Sequence, residues 1–593
     1  MCGIVGYLGE RSARDVILTG LRAQQYRGYD AAGFAVVQEG LHIRRTVGDI
    51  DALQRVTEDV TVATIGIGHT RWATHGDPHD PKNAHPHPDC ANRFVIVHNG
   101  TITNADPMRE ELLARGHMFS SQTDSESFAH LLEECGGGYA GFRLAISQIQ
   151  GTYAILAMDA QHPDTIMAAR HVNPLCVGFG DREVFFASDP CAFAKWTRSF
   201  ARLPDGWIVC ATRQGVACFD SFGDERELSR ETLATDIETP DKDGQPHFMM
   251  KEMLEQPRVA KQTYEAAQET GMAVPRQEVI IVGCGSAYHA GCFARACGNA
   301  LGYSERITTC ISTEVPFEYV YEPHDVSVIA VSQSGTTIDT LDAIARFPHA
   351  HQTIGVVNVP ESDLTKSVQK TIYTKAGTET AVASTKAFMS QSIVLLDMVV
   401  RAIEARGTME AKNNAATTRA GLGELSACLL KILDRRHEVE QLANTYADIT
   451  SASFIGHGML YPIAMEGALK FKEITYIPAT AYPSGELKHG PLALIDPHHL
   501  VVAICPAGST RHLTDLALHK VHSRGGRILV VTTKEGEALY RSLGDVIVVP
   551  DMPEAAWALV SVVPLQLLAY YMSVARGYNP DQPRNLAKSV TTR

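Results

Sequence analysis

A cysteine stands directly behind the initiator methionine, in MCGIVG, and it is the first residue of the chain that could do chemistry. Cysteine is small enough for Met1 to be trimmed, which would leave a thiol and a free α-amine together on Cys2. The amine can then act as base for its own thiol, and an ordinary α-amine pKa of about 7.7–8.0 suits that work near neutral pH. The competing reading is a buried first strand whose thiol is a small hydrophobe. Polar clusters follow at YRGYDAAG (26–33), GHTRWATHG (68–76), VIVHNG (95–100) and TDSE (123–126). Singly, the first three read as a turn with an Arg27–Asp30 pair, a loop anchored by Trp72, and an Asn-Gly turn. Far downstream, SQSGTT (332–337) follows an apolar strand and opens a helix at Asp339. Ser332, Gln333, Ser334, Thr336 and Thr337, with the helix N-terminal amides, would cradle a phosphate; otherwise the run is a hydroxyl-rich cap. Glu473 lies seven residues after Glu466, so both fall on one helical stripe, and Lys470 at i−3 offers Glu473 a plain salt bridge.

These residues need elements to position them. Residues 1–220 read as short strands (GIVGYL, GFAVVQ, FVIVHNG, TYAILAMD, EVFFASD and WIVCAT) separated by Gly, Asp and Asn turns. Helical patterns interrupt at about 12–25 and 124–135, so the segment is an α+β domain of stacked sheets with flanking helices. Residues 221–262 turn polar and read as a linker, with a helical pattern beginning at FMMKEMLEQP. Beyond it the chain repeats. Gly283-Cys284-Gly285 matches Gly456-His457-Gly458, and Gly335 matches Gly508; both offsets are 173 residues (456 − 283 and 508 − 335). Each copy alternates apolar strands with amphipathic helices, which predicts two α/β domains with parallel sheets, at 263–435 and 436–580, and a tail at 581–593.

Composition narrows the function classes. A length of 593 residues is too great for one core. The net charge of −14 argues against non-specific binding to nucleic acid or an anionic membrane. Thirteen cysteines without a CxxC pair indicate neither a disulfide framework nor a zinc module, and fit a reducing, cytoplasmic compartment. No secretory signal is visible. Trp557–Ala575 has no charge over 19 residues, yet Pro564 would break a membrane span, so a buried core helix pair is expected. Gly-Cys-Gly lacks the rest of a dinucleotide fingerprint and implies no cofactor. His75, His79, His85, His87 and His98 match no usual ligand spacing, and no metal is expected.

Together, MCGIVG, YRGYD-AG, HTRWATHG, HNG and TDSE resemble the glutamine amidotransferases of the N-terminal-nucleophile hydrolase class. The resemblance makes Cys2 the nucleophile and places the oxyanion hole at the Asn99 side chain and the Gly100 N–H. Glutamine's α-carboxylate would be held by Arg71 and its α-ammonium by Asp124. Thr74, His75 and Gly76 would line the pocket, Trp72 would close over it, and Arg27 would help order the site.

The repeat resembles paired sugar-isomerase domains. With AGTETAVASTKAF (376–388), EGALKFKEITYIPATAYPSGELKHGPLALID (466–496) and DQPRNLAKSVT (581–591), the whole chain resembles the isomerizing glutamine–fructose-6-phosphate aminotransferase family. The resemblance implies small-molecule substrates, L-glutamine and D-fructose 6-phosphate, and transfer of ammonia between two sites on one chain. It makes Lys588 the imine-forming lysine, Glu473 the residue that moves a proton between sugar carbons, and His489 an acid/base for ring opening supplied by a partner subunit, hence a homodimer. Cys284, Gly285, Ser286, Ser332, Gln333, Ser334, Thr337, Val382, Ala383 and Ser384 would meet the sugar phosphate. Two positions depart from the family pattern: Ser286-Ala287 stands for the usual Thr-Ser, and Thr336 for a common Glu. Loss of the hydroxyl at Ala287 would cost on the order of 1 kcal/mol. Amidotransferases with phosphoribosyl or adenylate acceptors carry an acidic pyrophosphate loop or an SGG-DS run, and neither is present. A different ketose phosphate as acceptor, or a phosphosugar-binding regulator, are the other readings; retention of Cys2, Glu473, His489 and Lys588 together argues against the regulator.

Overall fold

The computed structural model describes residues 2–60, 63–72, 75–233, 241–275, 278–319, 325–508 and 511–588. The chain forms two compact units that divide after Asp241.

In the first unit, period-two alternation builds four layers. Gly3–Leu8 is an inner strand of an eight-stranded sheet, antiparallel to both Ile65–Arg71 and Val184–Ala187. Its Ile4 and Leu8 point one way, into a core shared with Val95, Val97 and Leu156 of a six-stranded sheet. Val5 and Tyr7 point the other way and pack with Val16, Ile17 and Leu21 of the helix Ala13–Ala23. The second sheet is dressed in the same manner: Phe94 and Ile96 of Phe94–Ile102 pack with Phe128 and Leu132 of the helix Ser125–Glu134. The unit is thus two stacked antiparallel sheets with helices on both outer faces, the architecture expected of the N-terminal segment. Three helices not anticipated from sequence also occur: Ile50–Val56, Ala105–Ala114 and Gly138–Gln148.

The second unit contains the repeat. One parallel sheet runs Ile307–Ile311, Glu278–Gly283, Val326–Ser332, Gln352–Val357, Lys370–Tyr373; the other runs Ala479–Pro483, Ser451–Gly456, His499–Ile504, Arg527–Thr532, Asp545–Val548. Both have the strand order second, first, third, fourth, fifth. Gly283 and Gly456 each end a first strand, and each is followed by a 16-residue helix, Ser286–Leu301 or Leu460–Thr475. One continuous apolar core spans both copies and contains the helices Glu554–Val560 and Val562–Ala575. Among the described residues this is the one stretch long and apolar enough to cross a membrane, and 83% of its window is buried inside the protein. A buried helix pair, as expected, is what the sequence forms there.

The expected linker at 221–262 ends inside a helix. Phe248–Thr270 is a single 23-residue helix of the second unit, with Met249, Met253 and Ala260 in its core. Its start coincides with the helical pattern read from FMMKEMLEQP, ahead of the boundary drawn at 262. Residues 234–240, the middle of the expected linker, lie outside the described residues.

Asp581 ties the C-terminal tail to the start of that helix. Its carboxylate accepts the N–H groups of Phe248 at 2.8 Å and Met249 at 2.9 Å, donors a helix cannot satisfy internally. Asp581→Ala is expected to destabilise the second unit by about 1–2 kcal/mol and to loosen the tail that carries Lys588 while sparing the first unit. Thermal denaturation beside separate assays of the two units checks this.

Candidate functional sites

The first site grows from three strand ends. Cys2 immediately precedes Gly3–Leu8, Arg71 ends Ile65–Arg71, and Asn99 and Gly100 lie near the end of Phe94–Ile102. The register Gly3↔Thr70 brings Arg71 beside Cys2, and Gly3 N–H donates to Thr70 Oγ1 at 3.1 Å. A small cavity at this junction is lined by Cys2, Arg27, Arg71, Trp72, His75, Asn99, Gly100 and Asp124 among others. It therefore collects seven of the sequence-predicted residues around the thiol. Thr74 falls outside the described residues. Gly76 has a left-handed φ of +76°, and a Cβ there would stand 2.9 Å from the Asn83 side chain.

The thiol is held, not loose. The Trp72 N–H donates to Cys2 Sγ at 3.2 Å, and the S–H faces the Trp72 carbonyl at 3.5 Å. Burial pushes the thiol up from its ordinary value, against the lowering effect of the Trp72 N–H, Arg71 and Arg27. A base at the thiol is therefore needed for nucleophilic work, which is the task the α-amine of a trimmed Cys2 would take. Trp72 meets the Tyr29 ring edge-on at 6.0 Å.

Asn99 is oriented by partners that the sequence did not disclose. Its Oδ1 faces His69 Nε2 at 3.0 Å, and its Nδ2 donates to the Cys2 carbonyl at 2.9 Å and to Ser188 Oγ at 2.9 Å. His69 Nε2 also faces the His98 carbonyl at 3.0 Å. With two acceptors before it, that nitrogen carries the proton, and Nδ1 accepts from His85 Nδ1 at 3.2 Å. Burial drives His69 down to about 3, and His85, His87 and His98 below their ordinary value, so the row of rings is neutral at physiological pH. These histidines thus fix the amide of Asn99. Asn173 Nδ2 donates to the Asn99 carbonyl at 2.8 Å. Gly100 sits at φ +130°, where a Cβ would meet the Thr152 carbonyl oxygen at 1.9 Å; only glycine fits. Arg27 Nε donates to the Cys2 carbonyl at 3.1 Å, which makes Arg27 an anchor of the first residue.

Two charged groups stand ready for a zwitterion. Asp124 Oδ2 accepts the Ile102 N–H at 2.8 Å, and Oδ1 accepts from Ser125 Oγ at 3.2 Å. Arg71 donates through Nη2 to the His75 carbonyl, but its buried Nη1 makes no hydrogen bond among the described residues. Burial lowers the Arg71 guanidinium from its ordinary value, although Cys2, Asp30 and Asp124 act to raise it. An incoming carboxylate would repair that deficit. Arg71→Lys is expected to raise the KM for glutamine about 10- to 100-fold, equivalent to about 1.5–3 kcal/mol of a charged hydrogen bond, with a smaller change in kcat. Steady-state glutaminase kinetics provide the measurement.

The second site is a buried charge network in the second unit. Lys588 Nζ contacts Glu379 Oε2, an ion pair in which both side chains are buried. Glu379 also accepts Thr385 N–H at 2.9 Å, Ala387 N–H at 3.0 Å and Ser384 Oγ at 3.3 Å. Burial pushes the Glu379 carboxyl up, but the Lys588 ammonium and these N–H groups outweigh it and hold the group below its ordinary value. Nearby Glu252 is driven the other way, to about 8, by burial and by the charge of Glu379. Lys470 pairs with Glu473 at 2.8 Å and with Glu466 at 3.5 Å. Glu466 further holds His289 at 2.8 Å. Glu379 was contained in a quoted motif, but neither it nor Glu252 and His289 could be singled out, because each has a charged or backbone partner 128–209 residues away.

The remaining sugar-site expectations are placed as follows. Ser286 donates its hydroxyl proton to Glu466 Oε1 at 2.8 Å and accepts from Lys470 at 3.1 Å, so that hydroxyl is already engaged. Cys284 and Gly285 precede the helix Ser286–Leu301. Ser332 Oγ accepts the Gly335 N–H at 3.0 Å and faces Thr337 Oγ1 at 3.2 Å. Ser334 Oγ accepts from Thr336. The backbone carbonyl of Gln333 accepts the Asn358 N–H at 3.2 Å. The run thus folds into a compact loop ahead of Ile338–Ala345. Ala383 is fully buried in the apolar core, whereas Val382 and Ser384 are half-buried. His489 is exposed, at the end of the turn Ser484–His489.

Comparisons with known proteins bear on both units. Residues 69–195 match the glutamine amidotransferase domain family, and residues 446–576 the SIS domain family. Over 612 aligned residues and the full length of both chains, the sequence is 41% identical to the isomerizing glutamine–fructose-6-phosphate aminotransferase of Thermus thermophilus. It is 38% identical over full length to the Escherichia coli enzyme of the same name. The C-terminal domain of the Francisella tularensis glucosamine–fructose-6-phosphate aminotransferase superposes with a TM-score of 0.54 at 32% identity, covering 58% of this chain and all of that one.

Proposed function

The chain belongs to the isomerizing glutamine–fructose-6-phosphate aminotransferase family, and we propose on that premise how its two units divide one reaction. The enzyme converts D-fructose 6-phosphate and L-glutamine to D-glucosamine 6-phosphate and L-glutamate, the first step of amino-sugar synthesis towards UDP-N-acetylglucosamine.

In the first unit, the trimmed Cys2 attacks the glutamine side-chain amide, its α-amine taking the thiol proton. The tetrahedral oxyanion is met by Gly100 N–H and by Asn99 Nδ2, which gives up one of its two present acceptors, the Cys2 carbonyl or Ser188 Oγ, to do so; ammonia leaves, and water releases glutamate from the thioester. Arg71 holds the substrate carboxylate and Asp124 its ammonium. What carries this reading is the buried Arg71 Nη1, without a hydrogen bond among the described residues, in the same cavity as Cys2 and Asn99.

In the second unit, Lys588 forms an imine with the open-chain sugar and Glu473 moves the proton between its first two carbons. Their support is the buried network that links Lys588, Glu379, Lys470 and Glu473. The phosphate is met by the Ser332–Thr337 loop, Val382, Ser384 and the backbone of Ala383. The start of the helix Ser286–Leu301, with Cys284 and Gly285, contributes through its N-terminal end rather than the Ser286 hydroxyl. The exposed position of His489 suits action on a partner's site, and hence a homodimer. Ammonia passes internally between the sites, and the enzyme works in the cytoplasm, as its unpaired cysteines favour.

Incubation with glutamine and fructose 6-phosphate should yield equimolar glutamate and glucosamine 6-phosphate. Glutamate alone would sink the assignment. Full competition by added ammonium for product nitrogen would sink internal transfer.

A further inference from the structure

We propose that Cys90, His117, His130 and Glu133 form a closed, tetrahedral zinc site in the first unit. Their four ligand atoms lie within 4.8 Å of one another. Cys90 Sγ stands 3.4 Å from His117 Nδ1 and 3.4 Å from His130 Nδ1. Glu133 Oε2 stands 3.2 Å from His117 Nδ1 and 3.7 Å from His130 Nδ1. A tetrahedron with about 2.3 Å to sulfur and about 2.0–2.1 Å to nitrogen and oxygen has edges of roughly 3.3–3.6 Å. Four edges of the cluster, at 3.2, 3.4, 3.4 and 3.7 Å, lie close to that, and the other two lie within 4.8 Å. One thiolate, two imidazoles and one carboxylate are a zinc donor set, and the two anionic ligands neutralise the dication.

The groups behind the ligands fit as well. Both histidines turn Nδ1 to the centre, so each must carry its proton on Nε2. His117 Nε2 faces Glu134 Oε1 at 3.2 Å. His130 Nε2 lies 3.8 Å from Glu126 Oε1, and it is buried without a hydrogen bond among the described residues. A carboxylate behind a zinc-bound histidine fixes tautomer and ring orientation, and Glu134 stands in that place behind His117.

The ligands come from the turn before Phe94–Ile102, the segment after Ala105–Ala114, and the helix Ser125–Glu134. That strand carries Asn99 and Gly100, and Asp124 caps the opposite end of that helix. Zinc here would staple the scaffold of the glutamine site while taking no part in its chemistry. Sequence spacings of 27 and 13 residues (117 − 90 and 130 − 117) match no recognised ligand pattern, and the expectation of no metal rests only on the absence of a CxxC pair and on the histidines between 75 and 98.

The test uses the full-length chain, stripped with a chelator and titrated with zinc against a chromogenic competitor. One zinc should bind per chain with a sub-micromolar dissociation constant. Cobalt(II) in its place should give tetrahedral d–d bands and a thiolate charge-transfer band. Cys90→Ser and His117→Ala should lose both the zinc and these bands, whereas Cys2→Ala should keep them. Glu134→Gln, which leaves all four ligands in place, should weaken zinc about 10- to 100-fold. No zinc uptake by the wild-type chain, or unchanged uptake in Cys90→Ser and His117→Ala, overturns the proposal.

Discussion

Cys2→Ala is expected to lower glutamine-dependent formation of glucosamine 6-phosphate by about 10⁴-fold or more, the scale of losing a catalytic nucleophile. The size follows from the site. No second thiol lines the cavity: its other side chains include Arg27, Arg71, Trp72, the Asp124 carboxylate and three histidines, of which His85 and His98 are held neutral by burial and hydrogen-bonded. Alanine keeps the strand intact, because Gly3 N–H still meets Thr70 and Asn99 Nδ2 still meets the backbone carbonyl of residue 2. The second unit should therefore go on isomerising fructose 6-phosphate at close to its wild-type rate. Product assays with and without glutamine, on the same preparation, separate the two outcomes. Equal loss in both assays would mean that residue 2 matters for folding rather than attack. Blocking removal of Met1 should reproduce the loss with the thiol still present, since the amine that serves as base would then be absent.

Much of this was legible in the sequence because the first site is built from local motifs. Cys2, Arg71, Asn99 and Gly100 each sit at the end of an apolar run, and an apolar run is what marks a strand. The repeat was legible for the same reason, through glycines that close the first strand of each copy and the bend after the third. What could not be read was the set of side chains that hold the catalytic groups. Asn99 meets Cys2 across 97 residues and Ser188 across 89, and its carbonyl meets Asn173 across 74. Ser188 and Asn173 lie in no motif. The missed helices have a local cause. Ala105–Ala114 buries only Ala105 and Leu112, too few for a clear stripe, and Gly138–Gln148 starts in a glycine run that reads as a turn. The linker boundary is set at 262 although the helical pattern is legible from FMMKEMLEQP onward, where the helix Phe248–Thr270 begins.

Lys588→Arg should abolish sugar conversion, by about 10³-fold or more, while leaving glutamine hydrolysis in place. Arginine keeps the positive charge that Glu379 needs, so the pair and the loop Glu379 organises through Thr385, Ala387 and Ser384 survive. It cannot form an imine, because a guanidinium does not lose its proton at any working pH. Lys588→Ala is the less informative variant: it leaves Glu379 buried and uncompensated beside Glu252, at a cost of about 3–5 kcal/mol, and loss of activity would then report loss of structure. Borohydride added with fructose 6-phosphate should trap one sugar per chain on the wild-type enzyme, seen by intact mass, and none on Lys588→Arg. An adduct of equal yield on the arginine variant would remove Lys588 from the chemistry and leave it as the counter-ion of Glu379. The pairing itself predicts a pH dependence. Glu379 is held below its ordinary value, so its contribution to stability is complete above the unfolded pKa of about 4.3. That contribution is lost as pH falls through the lower folded value, and wild type and Lys588→Arg should therefore lose stability together in acid.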